Sequence, residues 1–457
     1  MKVHPPVIAA FKKELSDWQL WTGRAMVIAF AAIAGMTVVA FTRLTEHALT
    51  IFFSVQQIYW WAPLIWTPAS TAIIVWLTLR FAPGAAGSGI PQVMAALEPS
   101  AHGCVRQLYV SLRLSVVKIA LTTWGLLAGL SLGREGPSVQ IAAGVMQHAR
   151  RWMPKGSRIS EQGLLIAGGA AGIAAAFNTP LAGVMFAIEE LAKKPEQRSN
   201  GLILAAIVIG GMMAVSVYGN ASYFGVIRID NFGTGLILPG LLVVLCSGIA
   251  GGLFSRLLVV SLAGRSLDWF SAYRRRFPVK FAAACGLVVA LLGVVSQGTT
   301  YGSGYAHTRA LLDNSGESFS LFVLFKFVAT WLTTWSGVPV GIFAPSLAIG
   351  GALGKDIAQL TSYANAPTLI ALGMAGFLAA VTQAPMTSFI IVMEMVDGHA
   401  LVLSLMTTAM VASGISRLIS APLYSALADL QLLRLPLRSA QKKGAPKDSQ
   451  LAQSSQP

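Results

Sequence analysis

Charge is scarce in this sequence. Only 11% of its 457 residues are Asp, Glu, Lys or Arg, against roughly 25% in a soluble domain, and that shortage excludes an ordinary water-facing globule. Cysteine is nearly absent as well. Cys104, Cys246 and Cys285 are scattered and odd in number, which gives no disulfide framework and no thiolate metal site. The six His residues never stand at ligand spacing, so no metal and no other cofactor is expected. Catalytic signatures are missing too. There is no H-E-x-x-H, no pair of aspartates in an apolar span and no defensible Ser-His arrangement, and the chain is not read as an enzyme.

What is present is apolar. Hydrophobic residues make up 55% of the chain and mean hydropathy is +0.66. Runs that suit a bilayer crossing of about 20 residues occur at Ala25–Phe41, Leu202–Tyr218, Ile237–Ala263, Phe281–Gln297 and Thr387–Ser413. The chain is therefore an integral, multi-pass membrane protein whose first partner is the lipid bilayer.

The net charge of +15 raises the question of nucleic acid. The positive residues instead occupy short loops between apolar segments, as the positive-inside rule requires. Arg150, Arg151, Lys155 and Arg158, then Lys193, Lys194 and Arg198, then Arg265 with Arg274–Arg276, and last Arg434, Arg438, Lys442, Lys443 and Lys447 mark the cytoplasmic side of a cell (inner or plasma) membrane, with both termini in the cytoplasm. No nucleic acid is expected. Residues 1–24 mix Lys2, Lys12, Lys13, Glu14 and Asp17 with Phe11, Leu15, Trp18 and Leu20, the pattern of an interfacial amphipathic helix rather than a signal peptide. Residues 437–457 are expected to be a disordered cytoplasmic tail.

One phrase is written twice. Gly133-Arg134-Glu135-Gly136-Pro137-Ser138 returns 208 positions later as Gly341-Ile342-Phe343-Ala344-Pro345-Ser346. Gly168–Leu191 pairs with Gly373–Val396 at an offset of 205, setting Pro180 against Pro385, Asn178 against Gln383 and Glu189 against Glu394. Gly87-Ser88-Gly89 pairs with Gly302-Ser303-Gly304 at 215. Three landmarks in one order indicate two homologous halves, about 60–220 and 280–430, within a transmembrane domain of 25–436. Gly163–Leu191 has basic flanks on both sides and Pro180 near its middle. A single crossing cannot return to its starting side, so two half-helices broken near Asn178-Thr179-Pro180 are expected. Transporters use such broken helices in paired repeats to place binding sites at mid-membrane. Single glycines also serve tight helix packing.

Gly87–Pro91, Gly133–Pro137 and Gly341–Pro345 share a logic. Glycine frees the backbone and proline suits a first helical turn, so each predicts unpaired amides at a helix N-terminus carrying about +0.5 of a charge. Three such ends converging would hold an anion by partial dipoles and let it leave again. Only the first copy of the doubled phrase carries a carboxylate, Glu135, and an ionisable group inside a membrane is a functional hypothesis by default. Its alternative role is half of a structural ion pair with Arg134.

Gly-Ser-Gly-Ile-Pro, Gly-Arg-Glu-Gly-Pro and Gly-Ile-Phe-Ala-Pro, in this order and with Ala421-Pro422-Leu423-Tyr424-Ser425 near the end, resemble the CLC chloride channels and chloride/proton antiporters, of the bacterial type without cytoplasmic regulatory domains. The likeness runs from about residue 25 to 430. It implies an all-α inverted repeat of about 18 broken and re-entrant helices, a homodimer with one pathway per subunit, and chloride and protons as substrates. It further implies that the Ser88 and Tyr424 hydroxyls and the amides of Ile342 and Phe343 bind a central chloride. Glu135 would be the external gating glutamate, and Glu190 the internal proton glutamate. Taken alone, Ser88 also suits a helix N-cap, Tyr424 an interfacial aromatic and Glu190 a helix end beside Lys193 and Lys194. Glu189 is echoed by Glu394 whereas Glu190 is matched by Met395, so Glu189 reads as structural. Gln92 and Met94 stand where relatives often carry acids, leaving Lys118 in need of a partner, for which Glu98 is the candidate. The expected function is coupled chloride/proton antiport, with nitrate a poorer substrate; the alternative is a passive, voltage-gated chloride channel of the same fold. An electrical shunt in acid resistance is the role the bacterial relatives imply.

Overall fold

The computed structural model describes residues 18–98, 103–154, 159–192, 201–219, 222–225, 234–264, 269–313 and 321–433. These residues form α1 Trp18–Ile58, α2 Ala62–Phe81, α3 Ile90–Leu97, α4 Gly103–Tyr109, α5 Leu112–Leu127, α6 Glu135–Ala149, α7 Glu161–Phe177, α8 Pro180–Phe186, α9 Gly201–Tyr218, α10 Ile237–Ala263, α11 Trp269–Arg276, α12 Pro278–Val295, α13 Tyr305–Leu312, α14 Phe322–Ser336, α15 Phe343–Leu360, α16 Ala366–Thr382, α17 Pro385–Met395, α18 Val402–Ile419 and α19 Leu423–Leu433. A helix satisfies its own backbone, which lipid cannot do. Among the described residues seven helical stretches are long and apolar enough to cross a membrane, and α6, α7, α15 and α16 are largely buried.

The order α2, α3, α5, α6, α7, α8, α9 recurs as α12, α13, α14, α15, α16, α17, α18. The two copies meet at Gly133 and Gly341. Each donates its amide to the other's carbonyl, at 2.7 and 3.0 Å, in an antiparallel bridge. A reciprocal pair of bonds between corresponding residues marks a local two-fold relation, as an inverted repeat requires. The doubled phrase therefore lies at the centre of the molecule.

The expected helix break at Asn178-Thr179-Pro180 is present, and the second half repeats it at Gln383-Ala384-Pro385. Asn178 and Gln383 end α7 and α16 in the left-handed conformation, at φ 57° and 60°, and Pro180 and Pro385 open the next helix, where a missing N–H costs nothing. Tight packing is carried by paired glycines. Gly350 of α15 and Gly373 of α16 face each other so closely that a Cβ on either would collide with the other's backbone.

Two sequence boundaries move. Thr387–Ser413 is no single crossing, because α17 stops at Met395 and α18 starts at Val402 after the Asp397-Gly398 turn. The averaged hydropathy of the run hides that turn. At the start, α1 is continuous from Trp18, so residue 24 marks no break; residues 1–17 and the expected tail 437–457 lie outside the described residues.

Candidate functional site

Ser88 stands between two glycines with left-handed backbone, Gly87 at φ 75° and Gly89 at φ 105°. That geometry turns the chain sharply into α3. Gln92 closes the turn: its Oε1 accepts the Gly89 amide at 2.9 Å and its Nε2 donates to the Ala86 carbonyl. Gly87 is also tied to the second half, donating to the Val338 carbonyl and accepting from the Val340 amide, each at 3.1 Å. These bonds place the start of α3 beside the start of α15.

The Ser88 Oγ and the Tyr424 hydroxyl are buried and near enough to act on each other, and neither bonds any other group among the described residues. Ile342, the residue before α15, joins them in lining one cavity of about 70 Å³ that reaches Thr334, Arg274 and Gln431. The amides of Ile342 and Phe343 belong to a first turn, where the helix leaves N–H groups unpaired. Hydroxyls that can donate and the free amides of a first helical turn are groups that an anion receptor would use. The Phe343 ring stacks on Tyr424 at 5.9 Å and 12° and meets Phe177 and Phe186 at 6.2 and 6.4 Å. An aromatic wall thus backs the receptor.

Glu135 is 1% exposed and is the first residue of α6. Its Oε2 accepts the Ala344 amide of α15 at 3.4 Å, and the amides of Arg134 and Glu135 itself also act on the carboxylate. A carboxyl group therefore occupies the place where two helix ends meet. Gly133 makes room for it, since a Cβ there would collide with the carboxylate oxygen. The ion-pair alternative does not hold: Arg134 donates to Glu46 at 2.8 Å and to the Tyr223 hydroxyl at 3.0 Å. Above Arg134 and Gly133 opens a cavity of about 330 Å³ bordered by Glu46, Ser303, Tyr305 and His307.

Glu189 and Glu190 lie in a π turn, Ala187–Leu191, that continues α8. Such turns insert one residue and redirect the side chains around them. The Glu189 carboxylate accepts the Met386 and Thr387 amides, at 3.1 and 2.7 Å, at the start of α17. Its repeat mate Glu394 accepts the Leu181 and Ala182 amides, at 3.2 and 2.8 Å, at the start of α8. Each half caps a helix of the other, which makes Glu189 structural as its echo in the repeat indicated. Glu190 has no such mirror. Glu190 and Glu135 are both near enough to the Tyr424 hydroxyl to act on it electrostatically.

A family model described as voltage gated chloride channel matches residues 70–417. The chain belongs to this family, the CLC proteins. The H(+)/Cl(-) exchange transporter ClcA of Citrobacter koseri is 32% identical over 381 residues, which cover 80% of this chain and 78% of the relative. That of Salmonella typhimurium is 29% identical over 442 residues, covering 93% and 89%. A slow cyanobacterial Cl-/H+ antiporter, known from its crystal structure, superposes with a TM-score of 0.78 at 25% identity over 95% of this chain and 100% of its own.

Within this CLC chain, one expectation is corrected. Lys118 is fully buried and does not pair with Glu98. Its Nζ donates to the carbonyls of Ala85 and Gly87, at 2.8 and 2.6 Å. Those carbonyls precede α3, whereas Glu98 follows its last residue, about 12 Å further along at 1.5 Å per residue. Glu46 was not anticipated as the partner of Arg134: it sits 88 residues upstream in the middle of α1, with no local pattern to connect the two.

Proposed function

We propose that this CLC protein exchanges chloride for protons across a membrane. The observation that carries the reading is the position of Glu135, a carboxylate lying in the amides of two converging helix ends where a transported anion would also be held. Ionised, it fills that place. Protonated, it loses the attraction of the amides and yields to chloride. Chloride rests between the Ser88 and Tyr424 hydroxyls and the Ile342 and Phe343 amides, and Glu190 relays the proton. The names of the ClcA relatives and of the cyanobacterial antiporter support exchange over passive conduction. The protein works as a homodimer in the cell membrane with both termini in the cytoplasm.

The test is reconstitution of the purified protein in liposomes, with a chloride gradient, the potential clamped and external pH recorded. Exchange predicts protons moved uphill by chloride. Chloride flux without proton movement would leave the channel reading and reject exchange.

A further inference from the structure

Between α10 and α12, both long and apolar enough to cross the bilayer, runs the short helix α11, Trp269–Arg276. Tied to a spanning helix at each end, α11 is confined to the membrane surface. Its residues suit that place. Trp269 and Phe270 are 68% and 57% exposed, and Arg274, Arg275 and Arg276 fill the last turn. Exposed rings beside cations are the pattern of a segment lying in the interface.

The cations are not equivalent. Arg274 donates to the Ser261 carbonyl at 3.3 Å and Arg275 to the Gly264 carbonyl, so both brace the end of α10. Arg276 and Lys280 are exposed and stand instead against one ring, Phe277. The Arg276 Cζ lies 5.3 Å and the Lys280 Nζ 5.2 Å from its centroid. Among the described residues no carboxylate pairs with either. Lys280 also lies in the first turn of α12, the end where the helix dipole disfavours a cation. Two like charges are thus gathered on one exposed ring with nothing to neutralise them.

We propose that Arg276 and Lys280 bind the head group of an anionic phospholipid, and that this lipid steadies the wall of the cavity shared by Ser88 and Tyr424. A lipid fits better than an acidic protein, because the cations stand where a membrane-crossing helix begins and exposed apolar rings lie beside them for its chains. The link to the cavity runs through the other face of α11. Phe270 meets Trp335 of α14 at 6.4 Å, and the Trp335 Nε1 donates at 3.0 Å to the same Ser261 carbonyl that accepts Arg274. Arg274 and Thr334, the neighbour of Trp335, line the cavity with Ser88 and Tyr424. A head group that holds α11 therefore holds one side of the anion's route, whether the protein exchanges or conducts.

The full-length protein in one detergent is titrated by calorimetry with dioctanoyl phosphatidylglycerol, dioctanoyl phosphatidylcholine and glycerol phosphate. Wild type is compared with the double variant Arg276→Gln/Lys280→Gln and with Arg113→Gln/Arg151→Gln, which removes the same charge from two other exposed residues. Phosphatidylglycerol affinity should fall about tenfold or more in the first variant and stay within about twofold of wild type in the second. Equal losses in both, or phosphatidylcholine bound as tightly by the wild type, overturn the site. Glycerol phosphate bound as tightly as the lipid overturns it too, since a free phosphate is then the ligand. Chloride flux is then compared in phosphatidylcholine vesicles with and without phosphatidylglycerol. The anionic lipid should raise flux in the wild type and leave Arg276→Gln/Lys280→Gln unchanged; the same lipid dependence in both overturns the link to the cavity wall.

Discussion

At the scale of single residues, the proposed site draws on hydroxyls and helix-end amides to hold an anion, and Glu135 is the proposed competitor for those amides. The contest follows from geometry: the carboxylate sits on the Ala344 amide, so its protonation frees amides that chloride needs. Glu135→Ala is expected to keep chloride flux, abolish coupled proton movement and flatten the pH dependence, read in liposomes; an unchanged coupling ratio contradicts the gate. In wild type the sign is fixed by the same contest, with flux rising as external pH falls. Glu190→Gln should stop protons while sparing chloride, and intact proton flux in that variant places the relay elsewhere. Gly136→Ala tests the receptor from the side. Its new Cβ would collide with the Ser88 Oγ, and overpacking of this kind costs about 1–3 kcal/mol, so chloride affinity measured by calorimetry should fall roughly tenfold. Affinity equal to wild type would show that Ser88 is free to move.

At the scale of elements, the breaks were legible because they use residues with a backbone reason to be there. Asn178 and Gln383 tolerate the left-handed turn, and Pro180 and Pro385 start the next helix. The doubled Gly-Pro phrase was legible for the same reason, and its two copies did prove to be neighbours at the Gly133–Gly341 bridge. What could not be seen was any bond between residues far apart in the chain. Nothing local joins Arg134 to Glu46, and Lys118 looked in need of an acid because a sequence does not display carbonyls turned inward. The α17–α18 break escaped because Asp397 and Gly398 are too few to lower the average of a long apolar run. The crossed caps of Glu189 and Glu394 belong to this scale as well. Each carboxylate accepts two amides, and loss of a helix cap costs about 0.5–2 kcal/mol. Glu189→Ala and Glu394→Ala should therefore lower thermal stability by similar amounts, followed by tryptophan fluorescence. A loss confined to one of them contradicts the mirrored arrangement.

At the scale of the whole molecule, the repeat divides the labour between two halves that share a backbone plan. The first half supplies Ser88, Glu135 and Glu190, and the second supplies Ile342, Phe343 and the amide on which Glu135 rests. Where the repeat is faithful, as at the crossed caps, it builds the frame. Where it departs, with Glu135 against Phe343 and Glu190 against Met395, the pathway gains its ionisable groups. The most direct test is proton uptake on chloride binding. Calorimetry of wild type and Glu135→Gln in buffers of different ionisation enthalpy reports the protons bound with each chloride. The wild type should take up protons as chloride binds and Glu135→Gln should take up none; chloride binding without proton uptake in the wild type would contradict the competition at Glu135.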